Sequence, residues 1–291
     1  MRHYPAWLKK PFSPDGTARA VDGLIQDLRL TTVCRSAVCP NLRECWSMRQ
    51  LTFMILGKRC TRLCRFCAID HAKPQTVEMD EPARVAEAVR RLELEHVVIT
   101  SVARDDLADE GAGHFVEVIC AVRAENPAVT VETLVPDFHA RPELIRRVAQ
   151  DGGPEIFAHN IETVRRLSPY VRPQADYDRS LATLRLAADA ASGGRIKSSL
   201  MVGMGEKPGE VEQTLAELRT SGVTHLTMGQ YLRPDACSLP VLEYVSPQRF
   251  AHYRNRALEA GFVWVKAGPF VRSSYHAVDA LREESQESKV A

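Results

Sequence analysis

The sequence predicts an α/β protein whose parallel strands alternate with helices and curl into an open or closed β/α barrel. Three observations carry that expectation. Short runs rich in Val, Ile and Leu recur along the chain, amphipathic segments of helical length separate them, and no low-complexity linker or internal repeat divides the 291 residues. Apolar strands between amphipathic helices belong in a parallel sheet covered on both faces, and right-handed crossovers wind such a sheet one way. A doubly wound sheet is the alternative that pattern alone leaves open.

The elements follow in order. After an irregular, proline-containing start, ARAVDGLIQDLRL places Val21, Leu24, Ile25 and Leu28 on one helical face. LTFMIL (51–56) reads as the first buried strand. HVVIT (96–100), a helix near 113–124, VTVETLV (129–135), a helix near 141–149 and EIFAHN (155–160) come next. A long helix near 177–191 leads to IKSSLMVGM (196–204), a helix near 208–220 and VTHLTMG (223–229). This makes six strands, each followed by a helix or a connection long enough to hold one.

Composition narrows the function classes. The apolar fraction of 45% and charged fraction of 26% are ordinary for a globular chain with a substantial core. A net charge of +1 gives no reason to expect general binding to nucleic acid or an anionic membrane. There is no run of about 18 apolar residues, so no membrane-spanning helix is expected. The start, MRHYPAWLKKPFSPDG, has charge and proline where a signal peptide needs an apolar core, which makes the cytoplasm the expected location. Thiols stay reduced there, so clustered cysteines favour metal binding or catalysis over disulfides.

Such a cluster exists. Cys34, Cys39 and Cys45 form one triplet, and Cys60, Cys64 and Cys67 form a second directly after the first strand. Three thiolates on a short loop suit a soft metal or an iron–sulfur cluster. A structural zinc site would need a fourth ligand, for which His71 is the candidate. A cubane has four irons, so three cysteines leave one open for chemistry. Cys120, on an apolar helix face, and Cys237, on a polar loop, have no partner by spacing and read as non-ligands.

The spacing C-x3-C-x-aromatic-C, with Phe66 before the last cysteine, resembles the signature of the radical S-adenosylmethionine (SAM) superfamily. The resemblance implies a partial (β/α)6 barrel in which the open iron chelates SAM, and reductive cleavage yields a 5′-deoxyadenosyl radical. Cys34-x4-Cys39-x5-Cys45 beside that motif looks like the auxiliary 4Fe-4S site of the lipoyl synthase family. TFMILG, HVVITSV, RDDLADEGAGHF, HNIETV, LMVGMGE, LTMGQYLRP and GPFVRSSY agree with it in order, from about residue 5 to 277. The implied organisation is an N-terminal extension with the auxiliary cysteines (1–50), the barrel (51–260), and a C-terminal segment with the RSSY motif and a polar tail (261–291).

The same resemblance implies the chemistry. Ser274, in Arg272-Ser273-Ser274-Tyr275, is the implied fourth ligand of the auxiliary cluster, and a hard oxygen on iron is a ligand able to leave. Arg272 is implied to orient that serine or a substrate carbonyl. Asn160 and Glu162 of HNIETV are implied to face SAM, with Lys197 and Gln230 lining the same SAM or substrate cavity. The implied reaction inserts two sulfur atoms from the auxiliary cluster at C6 and C8 of an octanoyl group on a lysine of a lipoyl domain. Implied partners are octanoylated E2 subunits of 2-oxoacid dehydrogenases and the glycine cleavage H protein, flavodoxin or ferredoxin as electron donor, and an iron–sulfur carrier. Methylthiotransferases also pair two triplets but normally append a basic RNA-binding module, biotin synthase disperses its auxiliary cysteines, and a zinc-binding module is the non-enzymatic alternative. Ala103 and Ser199 depart from the family pattern and are expected to leave the iron ligands untouched.

Overall fold

The structure, a computed structural model, describes residues 4–10, 16–191 and 194–282; the polar tail and part of the proline-containing start fall outside them. Seven strands form one parallel sheet in chain order. They are β1 (Thr52–Ile55), β2 (His96–Ser101), β3 (Thr130–Leu134), β4 (Ile156–Ala158), β5 (Arg195–Val202), β6 (His225–Gln230) and β7 (Trp264–Gly268). The register runs from Thr52 beside Val98 to Gly229 beside Gly268, and β1 does not pair with β7, so the sheet stays open. All six expected strands form. The seventh escaped the sequence pattern because WVKAG buries only Trp264 and Val265 and offers no apolar run. It draws the first part of the expected C-terminal segment into the sheet.

Two short helices, α2 (Val33–Ser36) and α3 (Leu42–Ser47), follow α1 (Gly16–Asp27) and carry Cys34 and Cys45 ahead of the sheet. The barrel helices are α4 (Glu81–Leu92), α5 (Ala112–Glu125), α6 (Pro142–Arg146, prolonged by a π turn through Gly152), α7 (Ser168–Val171), α8 (Tyr177–Ala190), α9 (Pro208–Thr220) and α10 (Pro247–Glu259). In the connection after β1, α4 buries Val85, Ala86, Val89 and Leu92 at helical spacing. Asp176 and Ser246 cap α8 and α10 by accepting the N–H of Arg179 and Arg249. Among the described residues no helix is long and apolar enough to cross a membrane.

Side chains alternate across each strand, so Lys197, Ser199 and Met201 of β5 share the inner face. Ser199 and Met201 line the cavity at the strand ends, and Lys197 does not. Its ammonium donates to both Glu132 carboxylate oxygens of β3, at 2.8 and 2.9 Å, and lies 5.7 Å from the Trp264 ring centre of β7. His96 Nε2 is 3.8 Å from the same carboxylate. Lys197 thus seals the floor of the barrel, a correction to its expected place beside a cofactor or substrate.

Beyond β7 the chain returns across the strand ends. It passes so close to β6 that a Cβ on Gly229 would lie 2.0 Å from the Val271 carbonyl oxygen. Gly229→Ala should therefore destabilise the chain by at least ~3 kcal/mol, the upper end of overpacking costs, and open the Phe270–Tyr275 segment to chymotrypsin. A Cβ on Gly23 of α1 would meet nothing within 4 Å, so this position should accept Ala with a gain of about 0.5–1 kcal/mol. Lys197→Met should cost ~3–5 kcal/mol because Glu132 stays buried without its cation. Denaturant midpoints check all three.

Candidate active site and metal centre

The C-terminal strand ends open into one cavity of about 510 Å³, at the end where β/α barrels hold their chemistry. All six clustered cysteines line it, together with Arg272, Ser273, Ser274, Asn160, Glu162 and Gln230. Cys237 is exposed and outside the cavity, and so is Cys120, against its expected place on an apolar helix face.

The second triplet sits on the loop after β1. Cys67 N–H donates to the Cys64 carbonyl at 3.1 Å, folding the x2 step into a turn. The Cys60 sulfur accepts N–H bonds from Arg62 (3.4 Å) and Ala103 (3.3 Å), and the Cys67 sulfur accepts one from Ile69 (3.4 Å). Ala103 thus touches a thiol, contrary to expectation, but through its backbone, so its side-chain type matters little. Burial pushes the Cys64 thiol up to about 12 and Cys67 to about 11, and the neighbouring thiols and Glu162 push the same way. Only a strong cation would draw thiolates from such a place.

Between Cys60 and Cys64, Arg62 anchors the loop. Its buried guanidinium meets Asp105 in a bidentate pair, with Nη2–Oδ1 at 2.7 Å, and reaches Asp137 at 2.8 Å. Asp137, fully buried at the end of β3, also accepts from Arg179 Nε at 2.8 Å. Although burial opposes it, Arg62 holds the Asp137 carboxyl far below the usual range. On the other side, Phe66 packs against Val171, Tyr231 and Leu239. RDDL is plain in the sequence, but nothing there joins Asp105 to the triplet, since Arg62 and Asp105 lie 43 residues apart.

The first triplet is built from turns. Thr32 caps α2 by accepting Arg35 N–H, and Cys39 N–H donates to the Cys34 carbonyl at 3.0 Å after Val38 adopts a left-handed φ of 50°. Burial raises the Cys34 thiol and takes Cys45 to about 12, with Cys39 adding to both shifts and Cys34 to that of Cys45. Ser274 Oγ accepts a hydrogen bond from Thr52 Oγ1 at 2.7 Å at the start of β1, which brings the RSSY motif to the same cavity. Arg272 lines the cavity near Cys39, and burial pushes its guanidinium below the usual range.

Neither triplet brings its three sulfurs within 4.8 Å of one another. A tetrahedral zinc with Zn–S of about 2.3 Å would hold its sulfurs roughly 3.8 Å apart. His71, the candidate zinc ligand, is exposed and lines the same cavity as the cysteines.

Asn160 and Glu162 lie just past β4. Glu162, at a left-handed φ of 66°, accepts Asn160 Nδ2 at 2.9 Å, while Asn160 Oδ1 is buried without a hydrogen-bond partner in the cavity wall. Burial raises the Glu162 carboxyl, and Arg172, which donates to the Ile161 carbonyl at 2.7 Å, opposes that shift. Gln230 lines the cavity, as expected, and also works behind it. Its amide donates to Tyr231 and Glu243 carbonyls and accepts Val245 N–H at 2.7 Å, which ties down the loop after β6. Ser199 holds the Asn160 segment through its carbonyl, which accepts Glu162 N–H at 3.0 Å.

Residues 54–218 match the family model of the radical SAM superfamily. The lipoyl synthase of Chlorobium limicola (strain DSM 245 / NBRC 103803 / 6330) is 52% identical over 274 residues, covering 94% of this chain and 93% of its own. That of Rubrobacter xylanophilus (strain DSM 9941 / JCM 11954 / NBRC 16129 / PRD-1) is 50% identical over 274 residues, covering 94% and 85%. Among solved structures, methylornithine synthase PylB superposes with a TM-score of 0.55 at 15% identity, covering 88% of this chain and 79% of its own. The maturase HydG from Carboxydothermus hydrogenoformans gives 0.56 at 13%, covering 92% and 78%, so both share the fold. By this similarity over nearly its whole length, the chain belongs to the radical SAM superfamily and, within it, to the lipoyl synthase family.

Proposed function

We propose that the chain acts as a lipoyl synthase, a sulfurtransferase that inserts two sulfur atoms at C6 and C8 of an octanoyl group on a lysine of a lipoyl domain, giving the dihydrolipoyl cofactor. One observation carries the reading: two cysteine triplets and a serine far along the chain share a single cavity. Cys60, Cys64 and Cys67 hold a 4Fe-4S cluster with one iron left for SAM. Cys34, Cys39, Cys45 and Ser274 hold a second, auxiliary 4Fe-4S cluster, the sulfur source. When bound, these groups supply a carbon-centred radical that takes hydrogen from a saturated chain, and the sulfide that replaces it.

The protein's own residues bind, orient and exclude water. Asn160 Oδ1 is an unused acceptor for a SAM hydroxyl, and Glu162 fixes the Asn160 amide beside it. Met54, Leu134 and Met201 give the cavity apolar walls suited to an octanoyl chain. Arg272 adds positive charge beside Cys39, where a substrate carbonyl or the auxiliary cluster receives it. Lys197 serves the scaffold, and Gln230 lines the cavity while tying down the loop after β6. A lipoyl-domain substrate and a reductant follow from the activity. We assign octanoylated E2 subunits and the glycine cleavage H protein as substrates, flavodoxin or ferredoxin as donor, an iron–sulfur carrier for reloading, and the cytoplasm as location, where the thiols stay reduced.

Anaerobic purification should give about eight irons per chain with matching sulfide. Incubation with SAM, reductant and octanoylated lipoyl domain should add two sulfurs to the lysine adduct by mass spectrometry; no gain from a fully loaded protein would overturn the reading. Cys64→Ala should abolish SAM cleavage, whereas Cys39→Ala should keep cleavage measurable and abolish sulfur insertion. Without a carrier, yield should stop near one lipoyl group per chain.

The serine ligand has its own test. Ser274→Ala should still cleave SAM but make little product. Ser274→Cys should hold the auxiliary cluster well and insert sulfur poorly, because a thiolate leaves iron less readily than an oxygen. Ser273→Ala should be milder than either. Iron counting and lysine mass spectrometry on the three variants decide it, and wild-type yield from Ser274→Ala would reject the assignment.

A further inference from the structure

The serine-bearing turn is fastened at both ends to the helix that carries Cys45. Ahead of the turn, Asn41 Nδ2 donates to the Phe270 carbonyl at 2.6 Å. Behind it, Tyr275 Oη donates to Glu44 Oε1 at 2.6 Å, and His276 Nε2 lies 3.7 Å from the same oxygen. Lys10 joins the two fasteners: its ammonium donates to Asn41 Oδ1 at 2.6 Å, pairs with Glu44, and sits 4.9 Å from the Phe270 ring centre and 5.5 Å from that of Tyr275. Lys266, paired with Asp279 at 2.6 Å, approaches the Tyr275 ring from β7, also at 5.5 Å.

Glu44 precedes a cysteine of the first triplet and Tyr275 follows Ser274. The phenol–carboxylate bond therefore ties the two sides of one coordination sphere together without using a ligand atom. A carboxylate acceptor makes this a strong bond, and the Lys10 ammonium paired with Glu44 holds that carboxylate in place. Thr52 Oγ1 donates to the Ser274 oxygen at 2.7 Å, a further hold on that side chain from β1. When the serine lets go, only a side-chain torsion moves it away, and rotamer changes are fast compared with any movement of the fastened backbone.

We infer that Glu44 and Tyr275 are positioning residues that hold Ser274 over the first triplet while its bond to iron is broken, so that the same serine leaves as sulfur is taken and rebinds when the cluster is restored. The inference rests on Ser274 being the ligand. Its force lies in effective concentration: a ligand tethered beside its site rebinds as an intramolecular partner rather than by a search of the loop.

The test uses the full chain with both clusters loaded. In Tyr275→Phe the ring stays and the bond to Glu44 goes. Chelator should then strip the serine-bound iron about tenfold faster, the factor carried by one hydrogen bond to a charged group. Mössbauer spectra of 57Fe-loaded protein follow that iron directly, and the ratio of singly to doubly thiolated lysine should rise with its loss. Glu44→Ala should behave like Tyr275→Phe, whereas Glu44→Gln, which still offers the phenol an oxygen but not a charge, should fall between wild type and Tyr275→Phe. Wild-type iron loss in Tyr275→Phe, beside fast loss in Ser274→Ala, would overturn the positioning role alone. Wild-type spectra and iron retention in Ser274→Ala would instead overturn the ligand reading, and the positioning role with it.

Discussion

The return of the C-terminal segment across the barrel is possible because residue 229 of β6 has no side chain. The Val271 carbonyl occupies the space a methyl would need, at 2.0 Å from its ideal position. From that crossing point the segment reaches Asn41 through Phe270 and Thr52 through Ser274. Arg272 then lies by Cys39, and Tyr275 by Glu44. This close backbone approach, with those side-chain bonds, brings the returning segment and its serine to the cavity that the first cysteine triplet lines. The barrel supplies the platform, but this side of the cavity is made by two segments outside its β/α repeat.

Depth along the strands separates scaffold from chemistry. At the floor, Lys197, Glu132 and the Trp264 ring close the barrel with a paired charge that has no access to the cavity. One residue pair further along β5, Ser199 and Met201 face the open end. The cysteine loop spans the rim between β1 and β2, held from below by Arg62 on two aspartates and from the side by Phe66 in an apolar cluster. Loops that carry metal ligands are placed accurately when rigid elements and buried charges fix them, and here three elements share that task.

Much of this was legible in the residues. Val/Ile/Leu runs marked six strands because buried parallel strands read as continuous apolar segments. The two triplets stood out because cysteine spacing survives without any knowledge of the fold. What the residues concealed was distance along the third dimension. Lys197 and Ser199 share a face, but nothing in IKSSLM says which of them the cavity reaches. Asp105 and Asp137 look like ordinary loop acids until β2 and β3 bring them to Arg62. Gln230 ends a strand and does line the cavity, but nothing in the residues says that loop carbonyls and the Val245 amide take up its amide group. WVKAG hid as a strand because half of it is not apolar, and only its neighbour β6 makes it one.

The pairing of Thr52 with Ser274 spans 222 residues of chain, and that separation orders events at the ribosome. At about 5–20 residues per second, the first triplet emerges roughly 10–45 s before the serine proposed to complete its coordination. During this interval the three thiols of that triplet are exposed on an unfinished chain, together with the second triplet a few residues behind. A newborn chain in that state must either keep its thiols metal-free or accept a metal before the returning segment arrives. On the proposed reading the auxiliary cluster is loaded only once β6 and that segment have packed, and the order of assembly is written into the distance between the two ends of the site.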